Sequence, residues 1–242
     1  MTDKLNVNTI VPDGSTLTVG TSGGSVVMTD DVKVNTVKDA GGNTLWVSDG
    51  SGSLSSVNSG FGGAMKLLST QTVTGQSSIN FTSGLDSTYT EYVFKFININ
   101  PDTADARMGF KASTNSGSSY GVVTTTTAFY SYYRENGASG TIGYVGGDDA
   151  AESTGLIRLS GGMNADADQG YTALMHFFNP ASTTYVKNFY VRSGFQSNDS
   201  PPYMNDMYFA GYVNTASAVN AIQFATESGN FDGTIKMYGI ES

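Results

Sequence analysis

From Met65 onward the chain is cut into about a dozen short runs rich in aromatic and β-branched residues, each ended by a cluster of Gly, Ser, Asn, Asp or Pro. The clearest runs are Met65 to Val73, Ser77 to Phe81, Glu91 to Asn100, Met108 to Ala112, Gly121 to Tyr133, Thr141 to Val145, Gly155 to Leu159, Tyr171 to Phe178, Thr184 to Val191, Met207 to Val213, Ala218 to Ala225 and Gly233 to Ile240. Between them stand Asn115-Ser116-Gly117, Gly146-Gly147-Asp148, Ser200-Pro201-Pro202 and Glu227-Ser228-Gly229-Asn230. No amphipathic segment is long enough for a convincing helix. Many short strands closed by turn signals predict an all-β fold, an antiparallel sandwich of jelly-roll-like type.

Alternation within the runs supports this. In Tyr92 to Asn100 the set Val93, Lys95, Ile97, Ile99 lies opposite Tyr92, Phe94, Phe96, Asn98, Asn100, so one face is aromatic before it turns polar. In Thr234 to Ile240, Ile235 and Met237 point inward if Lys236 is solvated, and a bulge at Gly239 would return Ile240 to the core side.

The first 57 residues are of another kind. Val7-Asn8-Thr9-Ile10 recurs as Val34-Asn35-Thr36-Val37, and Thr16-Leu17-Thr18-Val19 as Thr44-Leu45-Trp46-Val47, each pair joined by a Gly-containing loop and followed by a Gly/Ser turn. Each copy reads strand, turn, strand, turn. With so few apolar side chains per copy, burial at about 25 cal/mol per Å² does not offset backbone ordering. The partners expected are the same segment of other chains, with Leu17, Val19, Leu45, Trp46 and Val47 as the packing residues. The alternative is that these strands pack on the chain's own globular domain. The Gly/Ser-rich stretch 59–64 reads as a neck, dividing a shaft segment, 1–58, from a sandwich domain, 65–242.

Composition narrows the partners. Twelve Lys and Arg against 21 Asp and Glu give a formal charge of -9, which argues against nucleic acid and anionic membrane surfaces. The absence of cysteine removes disulfides, thiolate metal sites and Cys nucleophiles. The longest apolar-rich runs fall far below the roughly 20 residues needed to cross a bilayer as a helix. The N-terminus lacks the continuous apolar stretch of a secretory signal, so the chain is expected to be soluble as made.

Catalytic signatures are weak. The sole histidine, His176, alternates with Leu174 and Phe178 and reads as a packed strand position. Gly20-Thr21-Ser22-Gly23-Gly24 matches a nucleophile-elbow pattern but precedes no helix. Asn164, Asp166 and Asp168 place oxygen ligands at alternate positions and form a candidate metal loop, although Gly170 falls at the seventh position and Met175 stands where a calcium loop needs Glu. Asp148, Asp149 and Glu152 read as a hydrophilic turn. No cofactor and no enzymatic activity are expected. The aromatic concentrations, Phe129-Tyr130-Ser131-Tyr132-Tyr133 and Tyr203 behind Pro201-Pro202, are the stronger lead, because tyrosine combines apolar area with a polar tip.

Lys4 to Ile10, Val34 to Leu54 and Ser228 to Gly239 together resemble virion structural proteins of marine tailed bacteriophages, of the fibre or appendage type. The resemblance implies a homotrimer located in the virion, attached to other virion proteins by its N-terminal segment and presenting a C-terminal β-domain to the host. It also implies recognition of a host surface glycan by exposed aromatics, for which Tyr130, Tyr132 and Tyr203 are the candidates. A capsid-bound decoration or head-fibre protein is the alternative within that class, and a polysaccharide-degrading spike is the enzymatic rival.

Overall fold

The computed structural model describes residues 34–55, 57 and 64–240. The described residues are strands, turns and bends without a helix, and every strand pairing is antiparallel. They fall into two units, divided between Phe61 and Gly62.

The first unit is a three-stranded sheet, β1 (Thr36–Lys38), β2 (Thr44–Ser48) and β3 (Leu54–Ser55), in the order β1-β2-β3. Its turns are built by aspartates. Asp39 Oδ1 accepts the Asn43 backbone N–H at 2.8 Å, with Gly42 at φ +84°. Asp49 Oδ1 accepts those of Ser51 and Ser53 at 2.8 and 3.1 Å, with Gly50 and Gly52 also at positive φ. These bonds, led by the Asn43 side chain at Asp39 and the Ser51 N–H at Asp49, hold both carboxyls below the ordinary carboxylate range. Leu45, Trp46 and Val47 sit on β2, all half-buried, and no described residue of this unit is buried. Leu17 and Val19 lie outside the described residues.

The second unit is a β-sandwich. Its strands are β4 (Met65–Gln76), β5 (Ser78–Phe81), β6 (Glu91–Pro101), β7 (Met108–Ser113), β8 (Thr124–Arg134), β9 (Gly140–Tyr144), β10 (Ala150–Ser153), β11 (Ile157–Arg158), β12 (Tyr171–Phe178), β13 (Lys187–Gln196), β14 (Tyr203–Val213), β15 (Ala221–Thr226) and β16 (Phe231–Ile240). One sheet runs β10-β8-β14-β13-β12-β6-β16-β4, with β9 also on β8; the other runs β11-β7-β15-β5. The antiparallel sandwich expected from sequence is the fold, with unequal layers of nine and four strands. Pairing partners move some boundaries. β13 and β14 pair without interruption from Lys187 opposite Val213 to Gln196 opposite Met204, which carries both strands to the edge of the Ser197–Pro202 turn. β10 forms inside the segment read as a hydrophilic turn because Ala150 and Ser153 pair with Thr126 and Thr124.

Aromatic rings bridge the layers. Phe94 of the large sheet meets Phe81 and Phe224 of the small one edge-on at 5.5 and 5.0 Å, and Phe110 meets Phe189 at 5.0 Å. The simple alternation along β6 breaks at Asn98, which takes φ +51° and shifts the register, so Ile99 joins Tyr92, Phe94 and Phe96 in the core. Gly233 lies against this bulge; a Cβ there would stand 2.8 Å from the Asn98 carbonyl oxygen. No bulge occurs at Gly239: β16 pairs regularly with β6 from Met237 to Ile240, so Gly239 points inward and Ile240 stays on the outer side. The Tyr89 ring fills the place that a Cβ on Gly239 would take, which is why a glycine stands at this inward position.

Candidate functional site

Even-numbered residues of β8 and odd-numbered residues of β14 face the sandwich interior. Along β8 the inner row is buried at Thr124, Thr126 and Ala128 and only half-buried at Tyr130 and Tyr132. Along β14 it is buried from Phe209 through Asn205 and opens at Tyr203. Register joins the two rows, with Met207 opposite Tyr130, Asn205 opposite Tyr132 and Tyr203 opposite Arg134. The inner face of the large sheet thus continues beyond the closed core as a floor of tyrosines.

Over this floor lies a cleft of about 590 Å³. Tyr130 and Tyr132 stand parallel, with ring centroids 5.8 Å apart, and Tyr203 tilts over Tyr132 at 4.6 Å. The Arg134 guanidinium covers Tyr203 at 5.2 Å and Tyr132 at 6.0 Å. Tyr144, at the end of β9, also lines the cleft, and its hydroxyl donates to Asp149. The three tyrosines singled out in sequence therefore come together in one place.

The rim is polar and comes from distant loops. Met163 bridges Ala106 on one side and Ser197 on the other, tying three loops together. Asp105 N–H donates to the Met163 carbonyl at 2.9 Å and Asn198 N–H to that of Gly162 at 3.3 Å. A Cβ on Gly162 would meet the Asp105 carboxylate, so glycine here lets that side chain lie against the loop. Asp105, Asp148, Asp199, Arg107 and Asn205 then surround the tyrosine floor.

Asp148 anchors this rim. Its side chain is 11% exposed and its Oδ1 lies 3.2 Å from Arg158 Nη1 and 3.4 Å from Arg107 Nε. Both guanidiniums also reach Glu227, at 2.7 Å from Arg158 and 3.7 Å from Arg107, and Arg107 lies 3.6 Å from Asp105. Burial pushes the Asp148 carboxyl up, while the two arginines pull it back. Tyr203 is pushed up to about 12, first by burial and then by its hydrogen bond to Asp199.

Other candidates fare differently. Asn164 and Asp166 hydrogen-bond to each other, Asn164 Nδ2 to Asp166 Oδ2 at 3.0 Å and Asp166 N–H to Asn164 Oδ1 at 3.2 Å. Asn100 Nδ2 donates to the Asp166 and Gln169 carbonyls, so this loop with Asp168 reads as a self-bonded turn. Among the described residues no group of three or more His, Cys, Asp or Glu side chains forms a metal-ligand cluster. The acidic trio diverges: Asp148 enters the arginine network, Asp149 pairs with Tyr144, and the Glu152 N–H donates to Thr125 Oγ1. His176 does share a face with Leu174 and Phe178, but it is the outer one; the core takes Ala173, Met175 and Phe177. There its Nδ1 lies 2.5 Å from Glu91 and its ring stacks on Tyr190 at 4.5 Å.

Sequence reasoning missed Asp105, Arg107, Asp199 and Tyr144 as neighbours of the tyrosines. Only Asp199 carried a local signal, standing four residues before Tyr203 across the Pro-Pro turn. No protein-family model, curated protein or solved structure matches the chain.

Proposed function

We propose that the chain is a non-enzymatic fibre or appendage protein of a phage virion, whose sandwich unit holds a host surface glycan in the tyrosine-floored cleft. The observation that carries this reading is the convergence of Tyr130, Tyr132 and Tyr203 under a rim of Asp and Asn side chains. Flat apolar rings accept the C–H face of a sugar, while carboxylates and amides accept and donate to its hydroxyls. The first unit supports assembly and attachment in the same reading. A sheet with no buried residue among those described needs further surface to cover Trp46 and its neighbours, and three copies side by side supply it.

The test is binding of the full chain to immobilised host surface polysaccharide by surface plasmon resonance. Tyr132→Ala and Tyr203→Ala should each weaken it by about tenfold, roughly the magnitude of one lost aromatic contact. Undiminished binding by both variants would remove the cleft from the reading. Light scattering should give three times the single-chain mass of 25.4 kDa, and a monomer at micromolar concentration would rule out an obligate trimer.

Glycoside hydrolysis is the second reading, favoured by one observation: Asp105, Asp148 and Asp199 line the same cleft. Against it, Asp148 is engaged by two guanidiniums as a structural ion-pair partner. Incubation with the host polysaccharide should release no reducing ends. Release that disappears with Asp148→Asn would establish the hydrolase in its place.

A further inference from the structure

Building on the glycan-binding reading, we infer that the cleft selects a sugar bearing a protonated amine over its neutral or acidic counterparts. The charges at the cleft and directly behind it set this preference. Asp105, Asp148, Asp149, Asp199 and Glu227 are five carboxylates, facing three guanidiniums, Arg107, Arg134 and Arg158. The arginines are already committed. Arg107 and Arg158 are held by Asp148 and Glu227, and Arg134 lies on Tyr203 with its Nη1 donating to the Pro201 carbonyl at 3.1 Å.

Two carboxylates at the mouth are not neutralised in this way. Asp105 is exposed and has only the 3.6 Å approach of Arg107, a guanidinium shared with two other acids. Asp199 is exposed, lines the cleft with Tyr203, and makes no ion pair among the described residues. A ligand carboxylate or sulfate entering here would meet net negative charge in a partly desolvated cleft, where repulsion is stronger than in open water. The field of the whole chain, at a formal -9, acts in the same direction.

A cation gains on each count. The Arg134 guanidinium already lies on Tyr132 and Tyr203, so the gain comes from the rim carboxylates. An ammonium group on a bound sugar would meet the Asp105 and Asp199 side chains at the rim above the tyrosines, in charge-assisted hydrogen bonds. The rings hold the sugar, and the two aspartates read its amine.

The experiment uses the full chain and three soluble tetrasaccharides, of glucosamine, of N-acetylglucosamine and of galacturonate. Calorimetry at about pH 5.5 keeps the sugar amines protonated. The glucosamine tetramer should bind at least about tenfold tighter than the N-acetyl tetramer, and the galacturonate tetramer more weakly than either. Asp105→Asn and Asp199→Asn, both at exposed positions, should each weaken binding of the glucosamine tetramer more than that of the N-acetyl tetramer, so that the ratio of the two affinities falls. Equal or tighter binding of the N-acetyl or galacturonate tetramer would overturn the inference and leave glycan binding standing. An amine preference that survives both aspartate substitutions would place the cation elsewhere on this acidic chain and overturn it as well. Binding of none of the three would overturn it too, and the Tyr132→Ala measurement on host polysaccharide then decides separately whether the cleft binds sugar.

Discussion

The two units reach β-structure by opposite routes. In residues 34–57 the strands are set by local chemistry: Asp39 and Asp49 each gather backbone N–H groups of the next four residues, glycines take the left-handed positions, and the sheet that results buries none of its described residues. In residues 64–240 the strands are set by distant partners, and the large rings of β6 close against β5 and β15. Turn chemistry is enough to define a hairpin, and stability needs buried area. Nature has also labelled the units: the single tryptophan, Trp46, reports the first, and all 14 tyrosines lie in the second.

The widest difference should appear when the units are separated. A chain beginning at Gly60 keeps every strand of the sandwich and should unfold in one cooperative transition, followed by tyrosine circular dichroism. Residues 1–58 alone should show no such transition at low concentration, since exposed strand edges lack partners there. In the full chain, Trp46 emission should then depend on protein concentration and the tyrosine signal should not. Loss of folding in the chain beginning at Gly60 would mean that the two units share a core.

Next in size come single substitutions in the two regions. Phe94 is fully buried between two rings of the opposite layer, so Phe94→Ala should cost about 3 to 5 kcal/mol in the sandwich transition. Trp46→Ala removes the largest apolar side chain of the first unit and should weaken the assembled state while moving the sandwich transition by less than about 0.5 kcal/mol. Equal shifts from the two substitutions would erase the distinction between the units.

A smaller effect is expected at Lys187, which is buried within the sandwich and donates to the carbonyls of Ser182, Tyr185 and Thr215 at 2.6, 2.8 and 3.0 Å. Lys187→Met keeps the apolar stem and leaves three acceptors without their donor. Urea unfolding should show a loss of about 1 to 3 kcal/mol. An unchanged midpoint would mean that water replaces the ammonium without cost.

How much of this was legible in sequence follows from the same contrast. Strand positions in the sandwich were readable because turn clusters punctuate alternating runs, and Tyr171 to Phe178 is a strand to the residue. The side each strand presents was less so. His176, Leu174 and Phe178 form a chemically plausible core row, and only the pairing of β12 between β6 and β13, with Met175 opposite Phe94 and Val191, turns them outward. The inserted residue at Asn98 has the same origin, since a bulge depends on the register of neighbouring strands. For the candidate site, density drew attention to Tyr130, Tyr132 and Tyr203, which are 70 or so positions apart in the chain at their extremes. Their convergence with Asp105 and Asp148 rests on the pairing of β8 with β14 and on the Met163 bridges, neither of which leaves a local trace.

The smallest effect separates burial from hydrogen bonding inside the cleft. Tyr203 holds its proton up to about 12 in the folded protein, against an ordinary value of 10.0. A group whose folded value is raised contributes stability that is complete below the unfolded value and is lost as pH rises through the folded one. The Tyr203 contribution is therefore intact up to about pH 10 and disappears toward pH 12. Burial is the leading cause and the Asp199 hydrogen bond the next, so Asp199→Asn should lower the Tyr203 value only part of the way back. The readout is the phenolate chemical shift of Tyr203, identified by its loss in Tyr203→Phe. Trp46 has no ionisable proton in this range, so its emission stays flat through the titration unless the first unit depends on the second. A Tyr203 that titrates near 10 in the unsubstituted chain would mean that water already reaches its hydroxyl, and a complete return to 10 in Asp199→Asn would assign the whole shift to the aspartate.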